Sequence, residues 1–370
     1  MSHLFSSFQL GPVKLSNRIA VSPMCQYSAD DGVASDWHLQ HLIQLGYSGA
    51  GLVVVEATGV ERRGRITHQC LGLYSDACEA ALGRVLAAAR RFAGPDTRFG
   101  IQLAHAGRKA SVYRPWDERK GLLAPEDDPW PTVSASAIPF DAGWPVPEAL
   151  SEDGMERVRE AFANSARRAV RIGFEVVELH AAHGYLMHQF LSPIANRRQD
   201  SYGGSLENRM RFPLAVARAV RAAIPSHVAM GARITGTDWL EGGWTVEDAV
   251  VFARALRGEG VDFVCVSSGG ISPSVSIPAG PGYQVPFAAQ IRKEAGIATR
   301  AVGMIVKPEQ AEEIIASGKA DMVALARAFL DDPRWVWHAA EKLGGSVHYP
   351  PQYARASRSL WPGAALLRPL

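Results

Sequence analysis

Eight times along this chain a short apolar run is followed by a longer amphipathic segment. The runs predict strands over Arg18–Pro23, Gly51–Ala57, Phe99–Ala104, Val176–His180, Val228–Ile234, Phe263–Ser267, Ala298–Gly303 and Met322–Ala326. The segments between them predict helices over Trp37–Tyr47, Ala77–Phe92, Met155–Ile172, Leu206–Ala223, Val246–Arg257, Val285–Glu294, Glu309–Ser317 and Trp335–Leu343. In the third helix Val158, Phe162, Ala166, Ala169 and Val170 share a face, with Arg157, Arg159, Arg167 and Arg168 largely opposite. Thr245 reads as an N-cap ahead of Glu247 and Asp248. Pro308 suits a first turn, and Gly318 a helix stop. Eight strand–helix repeats predict an α/β fold, a (β/α)8 TIM barrel, as one domain over residues 1–370 that becomes irregular from about 349. A doubly wound sheet alternates similarly, but usually with fewer strands, and its nucleotide-binding form carries a glycine fingerprint. Neither G-x-G-x-x-G nor G-x-x-x-x-G-K-[ST] occurs here.

Two connections are long. Residues Arg108 to Leu150 contain Pro115-Trp116 and Pro129-Trp130-Pro131, and Leu186 to Ser205 contain Asn196-Arg197-Arg198 and Tyr202-Gly203-Gly204-Ser205. Both follow strands, so both belong on the barrel's C-terminal face, and their aromatic residues favour ordered loops. At 47% hydrophobic and 21% charged, the composition suits a soluble globular enzyme. A net charge of +2 gives no strong bias toward nucleic acid or membrane, and neither partner is expected. Cys25, Cys70, Cys78 and Cys265 form no C-x-x-C pair, which fits a reducing cytoplasm. The N-terminus lacks a basic region and apolar core, so no signal peptide is expected. No apolar run approaches the roughly 20 residues of a membrane span.

The residues following each strand carry the chemistry. After the first come Met24-Cys25-Gln26-Tyr27, and after the second Thr58. The third carries Gln102 and His105, then Arg108-Lys109, and the fourth His180, His183 and Tyr185. The fifth carries Arg233, the sixth Ser267-Ser268-Gly269-Gly270, the seventh Gly303 and the eighth Arg327. Two imidazoles and a phenol at a strand end can hold an anionic oxygen and deliver a proton. Main-chain N–H groups near Gly269-Gly270 and Gly303, with Arg327, suit a phosphate. A metal-dependent hydrolase or lyase on the same barrel is the alternative: H-x-x-H over His180 and His183 needs a third ligand. Glu56, inside the second strand, is the one candidate, and no metal is expected.

Pro23-Met24-Cys25-Gln26-Tyr27, the stretch Gln102 to Lys109, His180-Ala-Ala-His183-Gly-Tyr185 and the stretch Arg197 to Arg209 together resemble the Old Yellow Enzyme family of flavin-dependent ene-reductases. Cys25 and Ala106-Gly107-Arg108-Lys109 resemble its thermophilic-like branch, which includes bacterial xenobiotic reductases. The resemblance implies non-covalent FMN, flanked by Ser22, Pro23, Met24, Cys25, Ala57, Gln102, His180 and Arg233, with its phosphate on Gly270, Gly303 and Arg327. It implies NADPH or NADH as reductant, and an α,β-unsaturated carbonyl compound as substrate. His180 and His183 would bind the carbonyl oxygen, and Tyr185 would donate a proton. Tyr27 and Lys109 would touch substrate, and Cys25 would both tune the flavin and touch substrate. A non-catalytic flavin-binding module is a third reading. The resemblance further implies a homodimer or homotetramer, in which Arg355 of Gln352-Tyr353-Ala354-Arg355 reaches a neighbour's active site. The chain departs from the pattern in continuing to Leu370, and in Ala326, where relatives often carry glycine.

Overall fold

The alternation resolves into a closed barrel in the structure, a computed structural model that describes residues 2–368. Its parallel strands are β1 Ile19–Val21, β2 Leu52–Gly59, β3 Arg98–Ala104, β4 Val176–Ala181, β5 Ala229–Thr235, β6 Phe263–Ser267, β7 Ala298–Ala301 and β8 Met322–Leu325. Each pairs with the next, and β8 returns to β1. The surrounding helices are α1 Asp36–Gly46, α2 Asp76–Phe92, α3 Glu152–Arg171, α4 Leu206–Ala223, α5 Val246–Gly258, α6 Val285–Ala295, α7 Pro308–Ala316 and α8 Trp335–Leu343. Every expected strand and helix overlaps its observed counterpart. β1 stops at Val21: the Ser22 N–H still bonds to Leu325, but Pro23 has no N–H to offer. The Thr245 hydroxyl caps α5 by accepting from the Asp248 N–H. No helix is long and apolar enough to cross a membrane, among the described residues.

Alternate residues of each strand face inward. Ala20, Leu52, Val54, Val176, Ala229, Phe263, Cys265 and Met322 pack inside, while Val53, Val55, Ile101 and Val177 face the helices. One irregularity shifts the pattern. The β2–β3 register slips between Val55 and Ala57: Val55 pairs with Ile101, but Ala57 pairs with Gln102. Glu56 is the extra residue of this bulge. The slip turns Ala57 to the inner face beside Gln102, and Glu56 instead accepts from the Gln26 N–H at 3.0 Å and lies 3.3 Å from His38 of α1. An N-terminal hairpin, Phe8–Leu10 with Val13–Leu15, adds Leu10, Val13 and Leu15 to the inner cluster. Gly11 at its turn lies against Asp262, which immediately precedes β6, so the hairpin sits at the end opposite the strands' C-termini.

The C-terminal segment is less irregular than expected. It forms a 3-10 turn over Pro351–Ala356 and a short helix over Ala364–Leu367. Tyr353 stacks on Tyr47, with ring centroids 5.8 Å apart. Tyr47 follows α1, near the start of β2, so Arg355 stands exposed on the side away from its own barrel mouth.

Midway up the interior, Glu178 of β4 and Arg300 of β7 form a fully buried ion pair, and Gln102 donates its Nε2 to Glu178 at 2.7 Å. Removing one partner of such a pair leaves a bare buried charge. Arg300→Met should cost about 3–5 kcal/mol in urea denaturation, and pairing it with Glu178→Leu should recover much of that. If the double variant is no more stable than the single, the pair is not what holds this layer.

Candidate active site

β4 ends at Ala181, and the chain then turns sharply. His183 sits in left-handed backbone at φ +58, and Gly184 at φ +72. A histidine pays about 1 kcal/mol for that conformation, so the surroundings must hold it there. They do so at both main-chain groups of His183. Its N–H donates to the Thr235 hydroxyl at 3.2 Å, and its carbonyl accepts from Lys109 Nζ at 2.8 Å. The next N–H, of Gly184, donates to His188 Nδ1 at 2.8 Å. His188 in turn stands 3.1 Å from Asp238, whose carboxylate is fixed by the Ser192 hydroxyl and the Trp244 N–H. Burial works against that carboxylate, yet His188 and these donors hold its pKa below the usual range. Glycine is required at 184 because a Cβ there would lie 2.1 Å from the Gly270 carbonyl oxygen. The loops after β4 and β6 thus meet backbone to backbone.

The turn aims two imidazoles at each other. His180 Nε2 and His183 Nδ1 are 3.3 Å apart. Burial, then the positive charges of Arg233 and Lys109, hold the pKa of His180 well below its ordinary value, and burial, Arg233, His180 and Lys109 do the same for His183. Both rings are therefore neutral near pH 7. The Tyr185 ring stands edge-on to His180, centroids 4.9 Å apart. Burial, with Cys25 and Cys70 nearby, raises its phenol pKa, so the proton stays on.

Arg233 pairs in register with His180, one strand over, and shares the inner face. Only 8% exposed, it donates to the Ser22 hydroxyl at 3.2 Å and the Ser267 hydroxyl at 3.4 Å. It has no carboxylate partner among the described residues. From Arg233, His183 and Ser267 a cavity of about 530 Å3 runs past Val302 to Gly303, Met304 and Arg327. Gly303 has φ +115, and a Cβ there would strike Gln284 at 2.6 Å. Arg327 opens a five-residue helix after Ala326, whose φ of −113 imposes no left-handed strain on alanine. Gly270 does not line this cavity. It packs against His183, and its carbonyl accepts from Lys109 at 2.9 Å.

Lys109 therefore acts on two backbones, with Nζ 5.0 Å from the Tyr185 ring centre. Burial, then Arg108, lowers its pKa to about 8. Pro23, Met24 and Cys25 are half-buried after β1. Burial, then Glu56 and Cys70, pushes the Cys25 thiol well up, so it is not a thiolate. Tyr27, at φ +46, stands edge-on to Trp116 of the first long loop. Ile66, Cys70, Ala57 and Tyr185 surround a small void of about 10 Å3. The stretch Arg197 to Arg209 works as a latch: Arg198 donates to the Ala135 and Leu150 carbonyls, tying the two long loops together.

The structure thus gathers His180, His183, Tyr185, Arg233, Lys109, Ser22 and Gln102 around one mouth, with Gly303 and Arg327 along the adjoining cavity. Sequence reasoning passed over Thr235, His188, Asp238, Gln284 and the particular role of Ser267. None carries a local signal except Ser267, at an inner position of a strand end. Among the described residues, no three His, Cys, Asp or Glu side chains gather as a metal-holding group, and Glu56, the candidate third ligand, is engaged with His38 and Gln26.

Residues 3–345 match the profile of the NADH:flavin oxidoreductase / NADH oxidase family. The chain is 42% identical over 358 residues to an NADPH dehydrogenase of Listeria innocua, covering 96% of this chain and 99% of that one. It is 43% identical over 361 residues to an NADH:flavin oxidoreductase of Gibberella zeae, covering 93% and 86%. Among solved structures, morphinone reductase superposes with a TM-score of 0.76 at 28% identity, over 95% of this chain and 92% of that chain. A 2-naphthoyl-CoA reductase shares the fold, with a TM-score of 0.82 at 22% identity over 92% and 52%. The chain belongs to the NADH:flavin oxidoreductase / NADH oxidase family, as an FMN-dependent oxidoreductase of the Old Yellow Enzyme type that draws on a nicotinamide reductant.

Proposed function

We propose that this enzyme is an ene-reductase that saturates the carbon–carbon double bond of α,β-unsaturated carbonyl compounds. The observation that carries the reading is the pair of neutral imidazoles, 3.3 Å apart, beside a buried Arg233 that has no carboxylate partner among the described residues. FMN, when bound, supplies the two-electron chemistry, taking hydride from NADPH or NADH and passing it to the β-carbon.

The residues present fit that group. Arg233 is a buried guanidinium with donors left over and no anion to neutralise it, which suits the electron-accepting edge of the flavin ring. Gln102 has its Nε2 committed to Glu178, which leaves Oε1 free to accept. Ser22, Pro23, Met24, Cys25 and Ala57 would flank the ring, and Gly303 with Arg327 would take the phosphate. Gly270 would contribute indirectly, by holding the His183 turn.

His180 and His183 would grip the substrate's carbonyl oxygen as negative charge grows there, each donor lowering the barrier by about 3–4 kcal/mol. Tyr185 would give its proton to the α-carbon, a step worth about 10²–10⁴-fold. Tyr27 would border the substrate, with Trp116 behind it. Lys109 would act by fixing the loops. Cys25, a protonated thiol, would tune the flavin without serving as nucleophile. We further infer a cytoplasmic homodimer or homotetramer in which Arg355, exposed and turned from its own mouth, enters a neighbour's site.

The direct test is bleaching of the flavin by NADPH, then reoxidation by cyclohexenone. His180→Ala with His183→Ala should slow the second step by at least about 10³-fold, while FMN affinity changes far less. Parallel loss of both would contradict the assignment. Tyr185→Phe should slow enone reduction by about 10²-fold and leave reduction by NADPH intact.

The imidazoles also set a pH dependence. Their folded pKa values lie well below about 6.5, the unfolded value, so the unfolded chain binds more protons as pH falls through that value. Stability should therefore decline on the acid side of pH 6.5, more steeply than in His180→Asn with His183→Asn. Enone reoxidation should show no inflection near 6.5. An inflection there would mean that the imidazoles work as cations.

A further inference from the structure

Ser267 ends β6 on the inner face, between Arg233 and His183. Arg233 Nε lies 3.4 Å from its oxygen, and His183 Nε2 lies 2.7 Å from it. One arrangement of hydrogens along this chain gives the Ser267 hydroxyl proton an acceptor among the described residues. A guanidinium can donate but never accept, so the Ser267 oxygen is the acceptor from Arg233. The hydroxyl proton then goes to its other neighbour, His183 Nε2. A neutral imidazole carries a single N–H, so that of His183 is on Nδ1.

His180 is fixed separately. The Ala182 main-chain N–H donates to its Nδ1 at 3.2 Å, which leaves its N–H on Nε2. The two atoms that face each other at 3.3 Å, His180 Nε2 and His183 Nδ1, are thus both donors. Between themselves they make no hydrogen bond. An electron-rich oxygen placed against both satisfies both.

We propose that Ser267 is a positioning residue that holds His183 in its Nδ1–H tautomer and so makes the histidine pair a two-donor clamp for an oxygen. The inference rests on the reading of that pair as the carbonyl-binding site. Without the hydroxyl, His183 Nε2 would face a methyl group. The ring would be free to move its proton to Nε2, and the bare Nδ1 would accept from His180. The pair would then close on itself, and one donor to substrate would be lost. The clamp has two donors and no acceptor, so it favours ligands whose oxygen only accepts, such as ketones, aldehydes and nitro groups, over alcohols of similar shape.

The test reads the tautomer directly. Holoenzyme labelled with 15N-histidine is examined by two-bond 1H–15N correlation, with His183 assigned from the His183→Gln spectrum. The expected result is a pyrrole-type Nδ1 and a pyridine-type Nε2 at His183, reversed in Ser267→Ala and retained in Ser267→Thr, which keeps the hydroxyl. Cyclohexanone affinity, followed by perturbation of the flavin spectrum, should fall about tenfold in Ser267→Ala and recover in Ser267→Thr. A wild-type His183 protonated on Nε2, or a Ser267→Ala tautomer unchanged from wild type, would overturn the role of Ser267. A reversed tautomer with unchanged ketone affinity would uphold the tautomer assignment and overturn the clamp, and with it the carbonyl-binding reading.

Discussion

Arg233 is a buried cation without a counter-ion among the described residues, and the mouth of the barrel is organised around it. One layer deeper, Arg300 is fully buried but is matched by Glu178. A buried charge is costly, and a matched pair only offsets that cost. Leaving Arg233 unmatched makes sense where a ligand brings electron density of its own. Burial first, and this charge second, depress the pKa of both imidazoles, and the charge aligns the Ser267 hydroxyl. One unpaired guanidinium thus contributes an affinity for anionic groups, reinforces what burial does to keep the histidines neutral, and bears on the direction of their hydrogens.

The second organising feature is close backbone contact between the loops after β4 and β6. Gly184 and Gly270 allow it, and Lys109 clasps the two carbonyls it brings together. Around this knot the long loops are tied by arginines. Arg108 donates to the Ile138, Pro139 and Ile271 carbonyls, and Arg198 to those of Ala135 and Leu150. Arg108, Lys109 and Arg198 thus all tie loops together through main-chain carbonyls.

Much of this was legible in the sequence, because barrel physics is periodic. Buried parallel strands read as short apolar runs, amphipathic helices read at their own period, and the residue after each strand lies at the mouth. What could not be read came from breaks in periodicity and from contacts distant in sequence. Strict alternation sends Glu56 into the mouth, and only the bulge turns Ala57 inward instead. Gly270 has the composition of a phosphate loop, and its close packing on the His183 turn could not be read from that composition. Lys109 gives two of its three N–H donors to carbonyls 74 and 161 residues away, which its own neighbourhood does not announce. Ser267 and Asp238 act through histidines from other strands' loops; the strand-end position of Ser267 marks it as facing the mouth but not its partner, and nothing near Asp238 announces its role.

The account stands on the claim that His180 and His183 together hold a substrate oxygen. A crystal structure of the FMN-bound enzyme soaked with a saturated cyclic ketone tests it most directly. The account predicts the ketone oxygen within about 3 Å of both His180 Nε2 and His183 Nδ1. A ketone oxygen bonded elsewhere in the mouth, with the two imidazoles bonded to each other, would contradict it.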